Sequence, residues 1–218
     1  MTSHRSVKFL AIASLSALVL SGCFTGKRPI LLPDETVPAL SDAAIQDVVA
    51  ILDSTPTSNF TIAYEVVTKF GGLHTAATLA VDPSFGTSIT IAEVRYIYSA
   101  DGTTLTCSTI TSECSPGIDE SRVSDRQLVS TIFKKATIER LKQDARVAVG
   151  SAVASNEVIV DNNATCSSIP VVDSNGATQS KSYCAFTDLG VVASMDTADL
   201  AITALSFTAV TSADQFSA

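Results

Sequence analysis

Phe60-Thr61-Ile62-Ala63-Tyr64-Glu65-Val66, followed after a short gap by Leu73-His74-Thr75-Ala76-Ala77-Thr78-Leu79-Ala80-Val81, is the stretch that decides the fold. In the first run Phe60, Ile62, Tyr64 and Val66 alternate with Thr61, Ala63 and Glu65. A period of two buries one face of a β-strand and wets the other. In the second run Leu73, Thr75, Ala77, Leu79 and Val81 share a face. Gly71-Gly72 supplies the turn between them, and so short a link makes the pair antiparallel.

The pattern continues in both directions. Asp82-Pro83 and Gly86 punctuate before Ser88 to Ser99, where the apolar parity shifts from Ile89 and Ile91 to Val94, Tyr96 and Tyr98, predicting one longer strand with a β-bulge or a bend. Asp101-Gly102 is a hairpin signal leading into Thr103 to Ser108. Upstream, Ser41 reads as an N-cap with Leu40 stapling onto Ile45. Ile45, Val48, Val49 and Leu52 then form a helical apolar stripe that Pro56 ends.

Downstream the middle of the chain reads as helical. Ser124-x-x-Gln127 has the form of a capping box, and Leu128, Val129, Ile132, Phe133 and Ala136 form one stripe. Ile138, Leu141, Ala145, Ala148 and Val149 form another, with Gly150 as a stop, so two helices are expected to meet near Ala136-Thr137. Strands return after Asn156: Glu157 to Val160, a turn at Asn162-Asn163, Thr165 to Val172, a hairpin at Asp173-Ser174-Asn175-Gly176, and Gln179 to Phe186. Val191 to Met195 and Leu200 to Val210 follow. In the last of these Leu200 and Ile202 have one parity and Leu205 and Phe207 the other, which predicts partial cover on both faces. The fold class expected is α+β, a curved antiparallel sheet (half-barrel) packed against about three helices.

The N-terminus carries an address. His4, Arg5 and Lys8 precede the apolar run Phe9 to Leu20, which is shorter than the roughly 20 residues a membrane span needs. Leu20-Ser21-Gly22-Cys23 closes it and resembles the lipobox of bacterial lipoproteins. That resemblance implies cleavage before Cys23, which becomes the new amino terminus, a thioether-linked diacylglyceryl (palmitate) anchor on its sulfur, and a place in the cell envelope outside the cytoplasm. An uncleaved membrane anchor, or a coincidental Cys after an ordinary signal peptide, is the competing reading. The organisation expected is a signal peptide over 1–22, a lipidated Cys and Pro-rich tether over 23–40, and a single α+β domain over 41–218.

Cleavage would remove Arg5 and Lys8 and no acid, taking the formal net charge from −8 to −10. So acidic a surface argues against nucleic acid, whose phosphates need basic residues. Low charged content (17%) beside a mean hydropathy of +0.33 suits a β-rich domain rather than a disordered stalk. Cys107, Cys114, Cys166 and Cys184 remain after acylation of Cys23. Four cysteines outside the cytoplasm are most simply two disulfides; three connectivities are open, and the local pairs Cys107–Cys114 and Cys166–Cys184 are favoured. A zinc site is the competing reading, but the spacing does not fit a knuckle and His74 is the one histidine left to help.

The order of lipobox, tether, helix, strands, helical insertion and strands resembles the LolA/LppX-type lipoprotein-carrier fold. Within that group it is most similar to actinobacterial envelope lipoproteins of the LppX/LprG kind. At residue level the likeness rests on Leu20-Ser21-Gly22-Cys23 and on Cys166…Tyr183-Cys184-x-x-x-Asp188-x-Gly190-Val191. It implies a cavity for a hydrophobic ligand.

No catalytic constellation is legible. His74 lies on the polar parity of its strand, without a Ser-His-Asp order or a Gly-x-Ser-x-Gly elbow. Asp119-Glu120 are neighbours that should point apart, and neither Asp161-Asn162-Asn163 nor Asp173-Ser174-Asn175 has the distal Glu of a calcium loop. The expectation is a non-enzymatic, monomeric lipoprotein without cofactor or metal. It would hold a lipid, glycolipid or acylated molecule between sheet and helices, against Ile62, Tyr64, Tyr96, Leu128, Ile132, Phe133, Leu141 and Phe207. The alternative is a solid-cored envelope scaffold or interaction module, in which those same side chains fill the interior.

Overall fold

The computed structural model describes residues 42–217. The expected signal peptide, Cys23, the tether, Ser41 and the Leu40–Ile45 staple therefore lie outside the described residues.

One antiparallel sheet dominates. Its eleven strands are β1 (Phe60–Thr68), β2 (Leu73–Asp82), β3 (Gly86–Ile91), β4 (Val94–Ser99), β5 (Thr104–Ser108), β6 (Cys114–Pro116), β7 (Val153–Ile159), β8 (Asn162–Val172), β9 (Thr178–Phe186), β10 (Val192–Asp196) and β11 (Leu200–Thr208). Their spatial order is β6-β5-β4-β3-β2-β1-β11-β10-β9-β8-β7. The sheet is thus two hairpin meanders that run outward from a central seam, where β1 pairs with β11. The two ends of the connecting segment, residues 117–152, leave from one outer edge and arrive at the other.

Local chemistry accounts for the strands. β1 alternates buried and half-buried residues along its whole length, and β2 is paired with it from Phe60↔Val81 to Thr68↔Leu73. Gly86 takes φ +117°, and a Cβ there would lie 2.0 Å from the Tyr98 carbonyl oxygen, so only glycine lets β3 start beside β4. The parity shift predicted as a bulge or a bend within one strand, Ser88–Ser99, is instead a tight hairpin between two strands. Ala92 and Glu93 make the turn, with Ala92 at φ +51°. Alternation breaks equally at a bulge and at a two-residue turn, and no Gly or Asn marks this one. The reverse happens in β11. Ala63 faces Ser206 while Tyr64 faces Ala204, so Leu205 is the extra residue of a bulge; it is exposed, and Phe207 is half-buried. The turn expected at Asn162-Asn163 falls at Val160-Asp161, both at positive φ, where the Asn162 side-chain amide donates to the Val160 carbonyl (2.8 Å).

Two α-helices accompany the sheet among the described residues. α1 (Ala43–Asp53) buries Ala44, Ile45, Val48 and Leu52 and is capped by Asp42, which accepts from Ala44 N (3.0 Å). α2 (Lys135–Arg146) buries Thr137, Ile138, Leu141 and Ala145. It stops four residues before Gly150, where Val149 N–H turns to the Pro170 carbonyl of β8 (2.9 Å). The first of the two predicted middle helices is not α-helical. Asp119, not Ser124, caps a 3₁₀ segment over Glu120–Arg126. Gln127 then adopts a left-handed conformation (φ +56°), and Glu120 accepts from the Ser130 amide (2.8 Å), folding the chain back. Residues 127–134 are turns, although Leu128, Ile132 and Phe133 are buried as the stripe required.

Both expected disulfides are formed. Each joins residues directly opposite on neighbouring strands, Cys107↔Cys114 across β5–β6 and Cys166↔Cys184 across β8–β9. Among the described residues no helix is long and apolar enough to cross a membrane.

Candidate functional site

Residues 117–152 cross one face of the sheet from edge to edge, and their contacts mark the path. Asp119 N–H donates to the Thr106 hydroxyl of β5 (2.9 Å), and its carbonyl accepts from Tyr96 of β4 (3.2 Å). Tyr98 shares a hydrogen bond with Ser130 (2.5 Å), and Thr68 of β1 donates to the Arg126 carbonyl (3.0 Å). At the centre Phe133 stacks on Tyr64 of β1, ring centroids 4.3 Å apart. The Val192 peptide of β10 closes this cluster, receiving the buried Tyr64 hydroxyl at its carbonyl (2.7 Å) and donating its N–H to the Phe133 carbonyl (3.0 Å). The register shift between Val192 and Ser194 frees those groups from the ladder.

α2 completes the crossing with charge. Arg140 makes a two-pronged contact with Asp199 (3.0 and 2.8 Å) in the β10–β11 turn. One helical turn later Asp144 accepts from Lys181 (2.5 Å) and from the Tyr183 hydroxyl, both on β9. Spacing of i, i+4 puts both groups on one helix face. Burial, with the Asp144 carboxylate adding to it, pushes the Tyr183 phenol well above its ordinary value. The Arg140 guanidinium holds the Asp199 carboxyl down at about 2, with a Thr197 hydroxyl bond helping. A carboxyl whose folded pKa is depressed stabilises the fold above its unfolded pKa, and that stabilisation is lost as pH falls. Asp199→Asn is therefore expected to flatten the loss of thermal stability between about pH 4 and pH 2. Melting temperatures of both proteins across that range check it; parallel acid limbs contradict it.

Seven of the eight residues expected to line a cavity are buried: Ile62, Tyr64, Tyr96, Leu128, Ile132, Phe133 and Leu141. Phe207, the eighth, is half-buried. They belong to one continuous core, and among them Phe133 alone lines a half-open apolar recess. That recess, about 80 Å³, lies under residues 131–134 and is walled by Leu79 and Val81 of β2, Thr87 and Ile89 of β3, Pro56, Thr131, Phe133 and Val191. Lys134 stands at its rim and donates to the Ser54 carbonyl at the end of α1 (2.5 Å). Burial lowers the Lys134 pKa, and the Asp53 carboxylate opposes that shift. Sequence reasoning missed Lys134 and the β2–β3 wall, because a slot is defined by what fails to fill it, and periodicity reports only which face is apolar.

The same end of α1 is approached from the other side by Gly190 at φ +66°, whose missing Cβ would lie 2.6 Å from the Ser54 hydroxyl. Its place in the turn before β10 lets Val191 reach the recess. Elsewhere a polar hollow of about 260 Å³ lies beside the Cys107–Cys114 bridge, with Arg95, Ser108 and Asp214 in its wall. An open groove runs along α2 past Ile132, Lys135 and Glu139.

The remaining candidates lie apart from the recess. His74 is exposed and pairs through Nδ1 with Glu65 (2.9 Å) on the outer surface of β1–β2. Asp119 and Glu120 point to different partners, Ser121 and Ser130. Asp173 closes its own turn by accepting from Asn175 and Ala177. Glu157, Cys166 and Cys184 bring ligand-type atoms within 4.8 Å of one another, but both sulfurs are spent in the disulfide and offer no thiolate. No protein-family model matches the chain, and no curated protein matches it.

Proposed function

We propose that this chain is a lipid-anchored protein of the cell envelope, outside the cytoplasm, that binds the apolar chain of a lipid or acylated molecule and catalyses nothing. In this reading the sheet curls as a half-barrel, segment 117–152 lies along its trough, and residues 127–134 gate the recess beneath Phe133. Eleven strands laid flat would separate the edges by about 48 Å. Segment 117–152 meets β5, β4, β1, β10, β9 and β8 on one face, the side on which a trough would have to lie.

The observation that carries the reading is the recess itself: an apolar slot with a lysine among its lining residues. A chain held there would gain roughly 0.8 kcal/mol per buried CH₂, and the Lys134 ammonium would meet an anionic head group. At about 80 Å³ the slot is smaller than the ~150 Å³ cavity that admits benzene, so a chain enters only when the slot widens. Movement of residues 127–134 would release the Phe133 stack and the Ser130 hydrogen bonds without unwinding an α-helix.

A fluorescent fatty-acid analogue titrated into residues 24–218 tests this. Saturation at one per chain is expected. Lys134→Ala should weaken a competing fatty acid by about tenfold, or ~1.4 kcal/mol, while leaving a fatty alcohol of equal length unaffected. Equal loss for both would remove Lys134 from head-group recognition. Burial of the seven predicted lining residues against one another favours a second reading, a solid-cored interaction module, for which no stoichiometric dye binding is expected. The anchor is tested separately: radioactive fatty acid should label the full chain and not Cys23→Ala.

A further inference from the structure

The two outer edges of the sheet are built differently. β6 is three residues long, ends in Pro116 and is clamped to β5 by Cys107–Cys114, features that blunt an edge against further pairing. β7 is the opposite. Over Val153–Ile159 it pairs, among the described residues, with β8 on one side only, carries no Pro or Lys, and is exposed from Val153 to Val158 on both faces, Val153 at 65% and Val158 at 70%. Seven residues of edge backbone are thereby offered to another strand.

The sequence of β7 also complements itself. An antiparallel partner of identical sequence, centred on Asn156, sets Val153 opposite Ile159, Ala154 opposite Val158 and Ser155 opposite Glu157, with Asn156 facing Asn156. Apolar residues then meet apolar ones on each face. The single charge, Glu157, meets a serine rather than its own copy, avoiding the like-charge opposition that destabilises a strand pair. Such a contact is isologous and closes after two copies, because β6 cannot extend it.

We propose that β7 is a self-association edge, pairing antiparallel with β7 of a second copy of this chain about a twofold axis at Asn156. This replaces the monomer expected from sequence and is independent of what the recess binds. In that pair the two Asn156 Cα atoms stand about 4.5–5.5 Å apart, within disulfide reach, whereas the two Val153 residues are about 20 Å apart.

The test uses the full chain, oxidised with copper phenanthroline at tens of micromolar. Asn156→Cys is expected to form a covalent dimer at least tenfold faster than Val153→Cys alone, and a mixture of Val153→Cys with Ile159→Cys is expected to cross-link as hetero-pairs. Equal rates for Asn156→Cys and Val153→Cys would overturn the proposed register. So would a strictly monomeric unmodified chain by sedimentation at the same concentration, an outcome that points β7 to a different protein.

Discussion

Phe133→Ala is expected to cost about 3–5 kcal/mol of folding stability, and to convert the recess under residues 131–134 into a site for small apolar molecules. The ring is 1% exposed and stacks on Tyr64 at 4.3 Å, so its removal forfeits both transfer energy and packing. Its space would join the existing slot of about 80 Å³ and bring the total toward the ~150 Å³ that holds benzene. Against a usual stability of about 5–15 kcal/mol the variant should still fold. Its melting temperature should then rise with added benzene or hexane, while that of the parent does not. Phe133→Asp goes further. It puts a carboxylate where a fully buried ring stacks on Tyr64, and is expected to unfold the domain. A folded Phe133→Asp protein that has merely lost dye binding would show Phe133 to be the free wall of an open cavity.

Asp144→Ala is the second large effect, at about 3–5 kcal/mol. Its carboxylate is 14% exposed, and it holds Lys181 and the Tyr183 hydroxyl against α2. Alanine strands a mostly buried ammonium and an unpaired phenol, a costlier outcome than losing the pair as a whole. Urea unfolding should show a lower midpoint at unchanged slope. Asp144→Leu combined with Lys181→Met should recover most of the loss, since no charge is then left unpaired. A double variant as unstable as Asp144→Ala would mean that the damage comes from α2 packing rather than from the stranded lysine.

The local elements were legible where one period ran unbroken. Phe60–Val66 and Ala77–Val81 declared their buried faces, Asn175-Gly176 declared its turn, and the favoured local pairing of the four cysteines is the one formed, with Cys114 on the short strand β6 rather than in a loop. Periodicity failed where a single residue changed the phase. Ala92 makes a turn without turn chemistry, and Leu205 is one extra residue that mimics a second buried face. Leu128, Ile132 and Phe133 have helical spacing because they are buried together, yet the left-handed Gln127 and the Glu120–Ser130 contact make that stretch a run of turns. The β1–β11 seam, the course of 117–152 from edge to edge and the lysine over the slot are long-range facts with no local signature. The recess was expected among eight residues, and only Phe133 lines it.

The claim on which this account rests is that the domain holds an apolar molecule. Residues 24–218, produced in an oxidising compartment, should carry a reproducible adduct of a few hundred to about two thousand daltons in native mass spectrometry, released as lipid on denaturation and solvent extraction. A clean mass equal to the chain less four hydrogens, for the two disulfides and nothing else, would contradict it and leave the solid-cored interaction module as the reading to pursue.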